Sequence, residues 1–235
     1  MSFTPQTARL PSEARRAALW LGIAIPVFAF GAIAEDVIEG EPFAFDRAIL
    51  LALREPGDPA TPIGPAWLPE AARDLTSLGS TTVLGLILFA VVGYLVLERR
   101  RAAAWWIFGA VIGGVLLNNL LKLMIGRPRP DVVGPAVRVF TSSFPSGHAT
   151  LSAIAYLTLG ALVARTQESV AMRIYIMALA ILVTTLVGLT RIYLGVHYPS
   201  DVLAGWCIGS AWALGCWAIM GWLQQNGRIE PPAKS

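Results

Sequence analysis

The chain has 235 residues, 55% of them hydrophobic and only 14% charged, where a soluble domain carries about 25% charge. A mean hydropathy of +0.62 and a net charge of only +3 exclude a disordered chain, a disulfide-stapled secreted module and a basic nucleic-acid binder. Two cysteines cannot build a structural zinc site, and Cys207 and Cys216, on opposite faces of one apolar stretch if it is helical, are not placed to pair.

The predicted class is therefore all-α: a polytopic membrane protein with a six-transmembrane-helix bundle in one domain over 1–235. A bilayer core of about 30 Å needs roughly 20 apolar residues as a helix, and lipid offers no partner to free backbone groups. After a polar tail, 1–16, six spans fit: 17–34, 81–97, 102–125, 148–164, 174–190 and 202–223. Arg15-Arg16, the apolar run and Ala32-Ile33-Ala34 also match a signal peptide with its cleavage site. The polar lead is long for one, so the run is read as a retained span.

Between the first two spans lies a long loop, 35–80. In it Phe45, Ala48, Ile49, Ala52 and Leu53 share a helical face, with Asp46, Arg47 and Arg54 elsewhere. That predicts a short helix, lying at the membrane surface or lidding the bundle. Pro56, Pro59, Pro62, Pro65 and Pro69 then predict an extended, non-helical stretch.

Six spans put both termini on one side. The two tails and the loops after the second and fourth spans carry ten cations against four acids, whereas the 35–80 loop carries three cations against nine acids. The positive-inside rule then makes 1–16 and 224–235 cytoplasmic tails and 35–80 extracytoplasmic. Lys122, Arg127, Arg129, Arg138 and Arg191 fall on the outer side, against that rule, and need another explanation.

Three polar clusters at the outer span ends supply one. Lys122 precedes Gly126-Arg127-Pro128-Arg129-Pro130-Asp131, where prolines flank Arg129 and suit a guanidinium fork held toward a fixed anion. A snorkelling anchor would also explain a lone lysine here. Pro145-Ser146-Gly147-His148 opens the fourth span. Ser146 suits an N-cap, and a glycine-bearing helix start is a ready anion site; a cap needs no imidazole, so His148 asks for more. The third cluster runs from Thr190-Arg191 to His197 and Asp201. Asp201 suits a helix cap, yet a carboxylate four residues from a histidine can hold one ring nitrogen and leave the other for a substrate. Both histidines of the chain thus meet three cations at one membrane face, a kit for phosphoryl transfer in which cations bear the developing charge. Two histidines and a single nearby carboxylate make a poor divalent metal site.

At these residues the sequence resembles the type 2 phosphatidic acid phosphatase (PAP2) superfamily, whose signature is K-x6-R-P, P-S-G-H and S-R-x5-H-x3-D. Lys122 to Arg129-Pro130 fits the first part, Pro145 to His148 the second, and Arg191, His197 and Asp201 the third. Thr190 replaces the signature serine, and Arg127 is an intervening position that takes no role from the likeness. The six-span layout also agrees with membrane members, and the likeness runs from about residue 35 to 222.

The resemblance implies a metal-independent, cofactor-free lipid phosphatase. His197 would be the nucleophile, Asp201 its orienting partner and His148 the general acid, with Lys122, Arg129, Ser146, Gly147 and Arg191 binding the phosphoryl oxygens. With the termini inside, the site would open to the outer leaflet of the cell membrane, on lipids such as undecaprenyl pyrophosphate, phosphatidylglycerophosphate, phosphatidate or diacylglycerol pyrophosphate. A lipid phosphotransferase would use the same residues. A small transporter would need charges at mid-membrane depth instead.

Overall fold

The computed structural model describes residues 12–40, 43–131 and 141–229. Arg138 and the ends of both tails lie outside them. Eight helices and one hairpin follow in order: α1 (Ser12–Glu39), α2 (Ala44–Ala52), β1 (Arg54–Glu55), β2 (Asp58–Pro62), α3 (Trp67–Ser77), α4 (Thr81–Leu97), α5 (Arg101–Ile125), α6 (Gly147–Arg165), α7 (Val170–Tyr193) and α8 (Pro199–Gln225). Five helices are long and apolar enough to cross a membrane, and a sixth span arises if α3 and α4, bent by 42° at their break, count as one. The all-α, multi-span expectation holds.

Composition explains the layering. Outward faces carry large apolar side chains, such as Phe28, Phe89 and Leu123, each about four-fifths exposed on the isolated chain; lipid is their solvent, so no polar face is required. The inner faces are built from small residues. Helix α6 packs along α7 and α8 through Ala149, Ala153 and Ala155, all buried. Opposite them on α8, Gly205 and Gly209 form a G-x-x-x-G face of the kind that lets membrane helices approach closely. A Cβ on Gly209 would lie 2.7 Å from Thr150 O, and one on Gly205 2.9 Å from Ser146 O. This tight seam holds the start of α6 against the start of α8.

Two expectations for the 35–80 loop need correction. First, α1 runs on to Glu39, so the loop's first residues are helical; a span is not obliged to end where its apolar run ends. Second, the prolines do not keep the whole stretch extended. Arg54 to Pro62 forms a small antiparallel hairpin, and Pro69 sits inside the first turn of α3, where a missing N–H costs nothing. The expected short helix is there as α2: Phe45, Ala48, Ile49 and Ala52 face outward while Asp46 and Leu50 are buried against the bundle. The helix thus lids the bundle through Asp46, Leu50 and the partly buried Leu53 and offers the rest of its apolar side to the surroundings.

Helix ends gather the polar clusters. Helix α5 stops at Gly126, whose φ of 64° closes the helix in the left-handed conformation, so glycine, ahead of the prolines, ends it. Helices α4, α6 and α8 begin, and α5 and α7 end, at that same end of the bundle.

Candidate active site

His197 lies in the short loop between α7 and α8 and is 1% exposed. Its Nδ1 faces Asp201 Oδ2 at 3.4 Å and Ser143 Oγ at 3.3 Å. Its Nε2 faces Arg129 Nη1 at 3.2 Å. A guanidinium N–H can only donate, so Nε2 is the acceptor and Nδ1 carries the proton toward Asp201. Burial pushes the imidazole pKa down to about 4, against the pull of Asp201 and with the help of Arg191 and Arg129. His197 is therefore neutral near pH 7, with its Nε2 lone pair toward Arg129.

Asp201 serves both of the roles its sequence position suggests. Its Oδ2 accepts the Tyr198 N–H at 2.9 Å and closes a capping box at the start of α8, and the same oxygen takes the Ser143 hydroxyl. Oδ1 takes Arg127 Nη1 at 2.6 Å.

The start of α6 comes to the same place. Ser146 occupies the N-cap position, but its side chain makes no cap bond. Its N–H donates to Asp201 O at 3.0 Å, which ties the two helix starts together, and its Oγ is buried without a partner. Gly147 packs beside Lys122, whose Cε would lie 3.6 Å from an added Cβ. Helix geometry leaves the first-turn N–H groups of Gly147, His148 and Ala149 without intrahelical acceptors. His148 lies against Gly79, at the α3–α4 break, and within electrostatic reach of His197, Arg129, Arg191 and Lys122.

The cations converge from three segments. Lys122 Nζ donates to Ser142 O. Arg191, 5% exposed, donates through Nη1 to Thr76 Oγ1 at 3.2 Å, while its Nε is buried without a partner. The Arg129 fork is spent on Thr141 O and Val196 O, at 2.9 and 2.7 Å, besides His197. Thr190 stays out of the cluster: its hydroxyl bonds Val187 O of its own helix at 2.7 Å. Two buried, unpartnered polar groups, Ser146 Oγ and Arg191 Nε, beside a set of cations mark a place where an anion would complete the hydrogen bonding. Among the described residues no three His, Cys, Asp or Glu side chains come together as a metal cage would need.

All eight residues singled out in the sequence belong to this region. Sequence reasoning missed Ser143, Asp46 and Arg127. The available signals were a charged residue within the short apolar helix (Asp46) and a Ser-Ser pair just ahead of Phe144-Pro145.

The PAP2 superfamily model matches residues 103–225, which holds every one of those eight. The chain is 32% identical over 182 residues to phosphatidylglycerophosphatase B of Bacillus subtilis, covering 76% of this chain and 82% of that protein. It is 33% identical over 180 residues to the lipid A 1-phosphatase of Rhizobium etli, covering 65% and 73%. Its fold is similar to the crystal structure of a transmembrane PAP2-type phosphatidylglycerolphosphate phosphatase from Bacillus subtilis, with a TM-score of 0.77 and 25% identity over 86% of this chain and 98% of that one. The chain belongs to the PAP2 superfamily, as a multi-pass membrane phosphatase that hydrolyses phosphoric monoesters.

Proposed function

We propose that the protein is a metal-independent lipid phosphatase that removes a phosphate or pyrophosphate headgroup group through a phosphohistidine on His197. The carrying observation is the His197 environment: Nδ1 toward Asp201, Nε2 as an acceptor that meets only the Arg129 guanidinium, and two buried groups of the same region, Ser146 Oγ and Arg191 Nε, without partners. In the first step the Nε2 lone pair forms a P–N bond as the P–O bond to the lipid breaks, and His148 gives its proton to the departing oxygen. In the second, His148 takes a proton from water, whose oxygen attacks phosphorus and releases phosphate and neutral His197. Asp201 offsets the charge on the ring while it is phosphorylated.

Lys122, Arg129, Arg191, Ser146 Oγ and the Gly147 N–H bind the phosphoryl oxygens and bear the charge of the transition state. Arg129 has a second duty. Its Nη1 rests on the very lone pair that must attack, so an arriving phosphate draws the guanidinium onto its oxygens and uncovers Nε2. The whole chain works as one unit, with both tails cytoplasmic and the site opening at headgroup depth on the outer leaflet of the cell membrane; the asymmetry of loop cations supports that orientation. A lipid phosphate can then reach it laterally, leaving its tail in the bilayer.

The relatives act on several lipid phosphates, and that range supports the class: undecaprenyl pyrophosphate, phosphatidylglycerophosphate and phosphatidate types remain the substrate candidates. The test is phosphate release by purified protein from a panel of mono- and pyrophosphate lipids, in EDTA, beside His197→Ala. Release by the wild type alone is expected. Activity that vanishes with EDTA, or survives in His197→Ala, would overturn the proposal, and label passing to a second lipid instead of free phosphate would make the enzyme a transferase.

A further inference from the structure

Arg127 has no place in the scheme so far, yet it is held by two buried carboxylates and a hydroxyl. Nη1 donates to Asp201 Oδ1 at 2.6 Å and to Ser200 Oγ at 2.7 Å, and Nη2 donates to Asp46 Oδ2 at 2.9 Å. The guanidinium lies over the Tyr198 ring, 4.3 Å from its centroid. Asp46 comes from α2, more than 150 positions ahead of its other partner; its Oδ1 accepts the Ser200 N–H at 2.8 Å and its Oδ2 the Ser200 hydroxyl. Side chains of Asp46 and Asp201 are 4% and 0% exposed, and that of Arg127 12%. Burial works against the Arg127 charge, but Asp201 and Asp46 more than offset it, so its pKa is raised.

We propose that Arg127 and Asp46 are positioning residues for the His197–Asp201 pair. Arg127 fixes the Asp201 carboxylate, and Asp46 offsets the charge Arg127 brings, so that Asp201 keeps its hold on a cationic His197. This rests on the phosphohistidine reading, which makes a positive imidazole the state to be stabilised.

The charge count behind it is local. Facing His197 are Arg129 from the loop after α5, Arg191 from α7, His148 from α6, the neutral Ser143 and Asp201 of α8, with Lys122 of α5 behind them beside His148 and Asp201. Asp131 stands further out, beside Tyr198. Several cations thus oppose a positive His197 and one carboxylate supports it. An Arg127–Asp201 pair alone would be neutral and would cancel that support. With Asp46 added, the buried trio carries one net negative charge, while Arg127 still holds Asp201 by geometry. Asp46 also sits at the N-terminus of α8, where the helix dipole favours an anion.

The two residues therefore push His197 in opposite directions, and a purely structural brace would not. The experiment measures kcat/KM against pH for phosphate release from phosphatidate in detergent micelles, using full-length wild type, D46N, R127Q and R127K. Loss of Asp46 should move the acid limb down, and loss of Arg127 should move it up, each by roughly half a pH unit or more. The second ionisation of the substrate phosphate, near pH 6, gives a limb of its own that is common to all variants; the limb compared is the lower one, where His197 itself takes up a proton. R127K, which keeps the charge but cannot bridge two carboxylates, should hold the wild-type limb while kcat falls about tenfold at little change in KM. If R127Q does not fold, as judged by its melt, D46N alone decides. Limbs that stay put, or that move the same way, would overturn the inference, as would a D46N limb that moves up. His197→Ala separates the two levels: retained activity defeats the phosphohistidine reading, whereas a dead His197→Ala with unmoved limbs defeats this inference alone.

Discussion

Substituting Gly205 by alanine tests how the fold sets the site, because one added methyl acts between two helix starts. Gly205 lies one turn beyond Asp201 on α8, and its absent Cβ would sit 2.9 Å from Ser146 O, 3.0 Å from Ala149 Cβ and 3.1 Å from Thr150 Oγ1. Carbon–oxygen contacts settle at about 3.3–3.6 Å, and the nearest oxygen is backbone, so the start of α6 must retreat by roughly half an ångström. A misplacement of about 1 Å can cost 10²-fold in rate; half of that predicts a loss of kcat of about tenfold. For stability, overpacking costs about 1–3 kcal/mol and the gain in helix propensity is at most about 1 kcal/mol, so the variant loses up to about 3 kcal/mol. Gly215→Ala on the same helix is the control, since nothing lies within 4 Å of its added Cβ; it should keep full activity and lose no stability. The assays are steady-state phosphate release in micelles and unfolding in denaturing detergent. A Gly205→Ala protein as active as the wild type and no less stable would refute the claim that the α6–α8 seam positions the catalytic groups.

Three further outcomes follow from the site. Ser146→Ala removes a buried hydroxyl that has no partner, so stability should hold or rise, while kcat/KM falls roughly 10²–10³-fold, about 2.7–4 kcal/mol of barrier, as its donation to the transition state is lost; an unchanged kcat/KM would remove Ser146 from the phosphate site. Arg191→Ala and Lys122→Ala should each cost a similar amount in kcat/KM, read in the same assay. Because His197 is held down to about 4, it stays neutral and nucleophilic from there upward, so any limb seen near pH 6 in the wild type should follow the ionisation of the substrate phosphate. A limb near 6 that shifts in D46N or R127Q would contradict the assignment.

The spans and most of the site were legible in the sequence for one reason each. Lipid forces long apolar runs into helices, so α5, α7 and α8 announce themselves, and the four-residue spacing of His197 and Asp201 is a local pattern that needs no tertiary knowledge. What the sequence concealed was contact across distance. Asp46 reaches Arg127 and Ser200 from a lid helix, and no local pattern encodes that. Ser143, just ahead of α6, meets Asp201 at the start of α8, 58 positions away in the chain. Which face of α2 packs on the bundle was not legible for a related reason. An apolar stripe states that a helix has two sides, but beside a membrane the apolar side need not be the one that packs on protein. Pro69 misled for a smaller reason, since the first turn of a helix tolerates the ring that breaks its interior.

The central claim is the covalent step on His197, and rapid acid-free quenching after mixing with a 32P-labelled lipid phosphate tests it most directly. The wild type should carry label that is stable to alkali, labile to acid and located on the peptide containing His197, while His197→Ala carries none. A wild-type protein that turns over fully with no label on that peptide, or a His197→Ala protein labelled to the same extent, would contradict it.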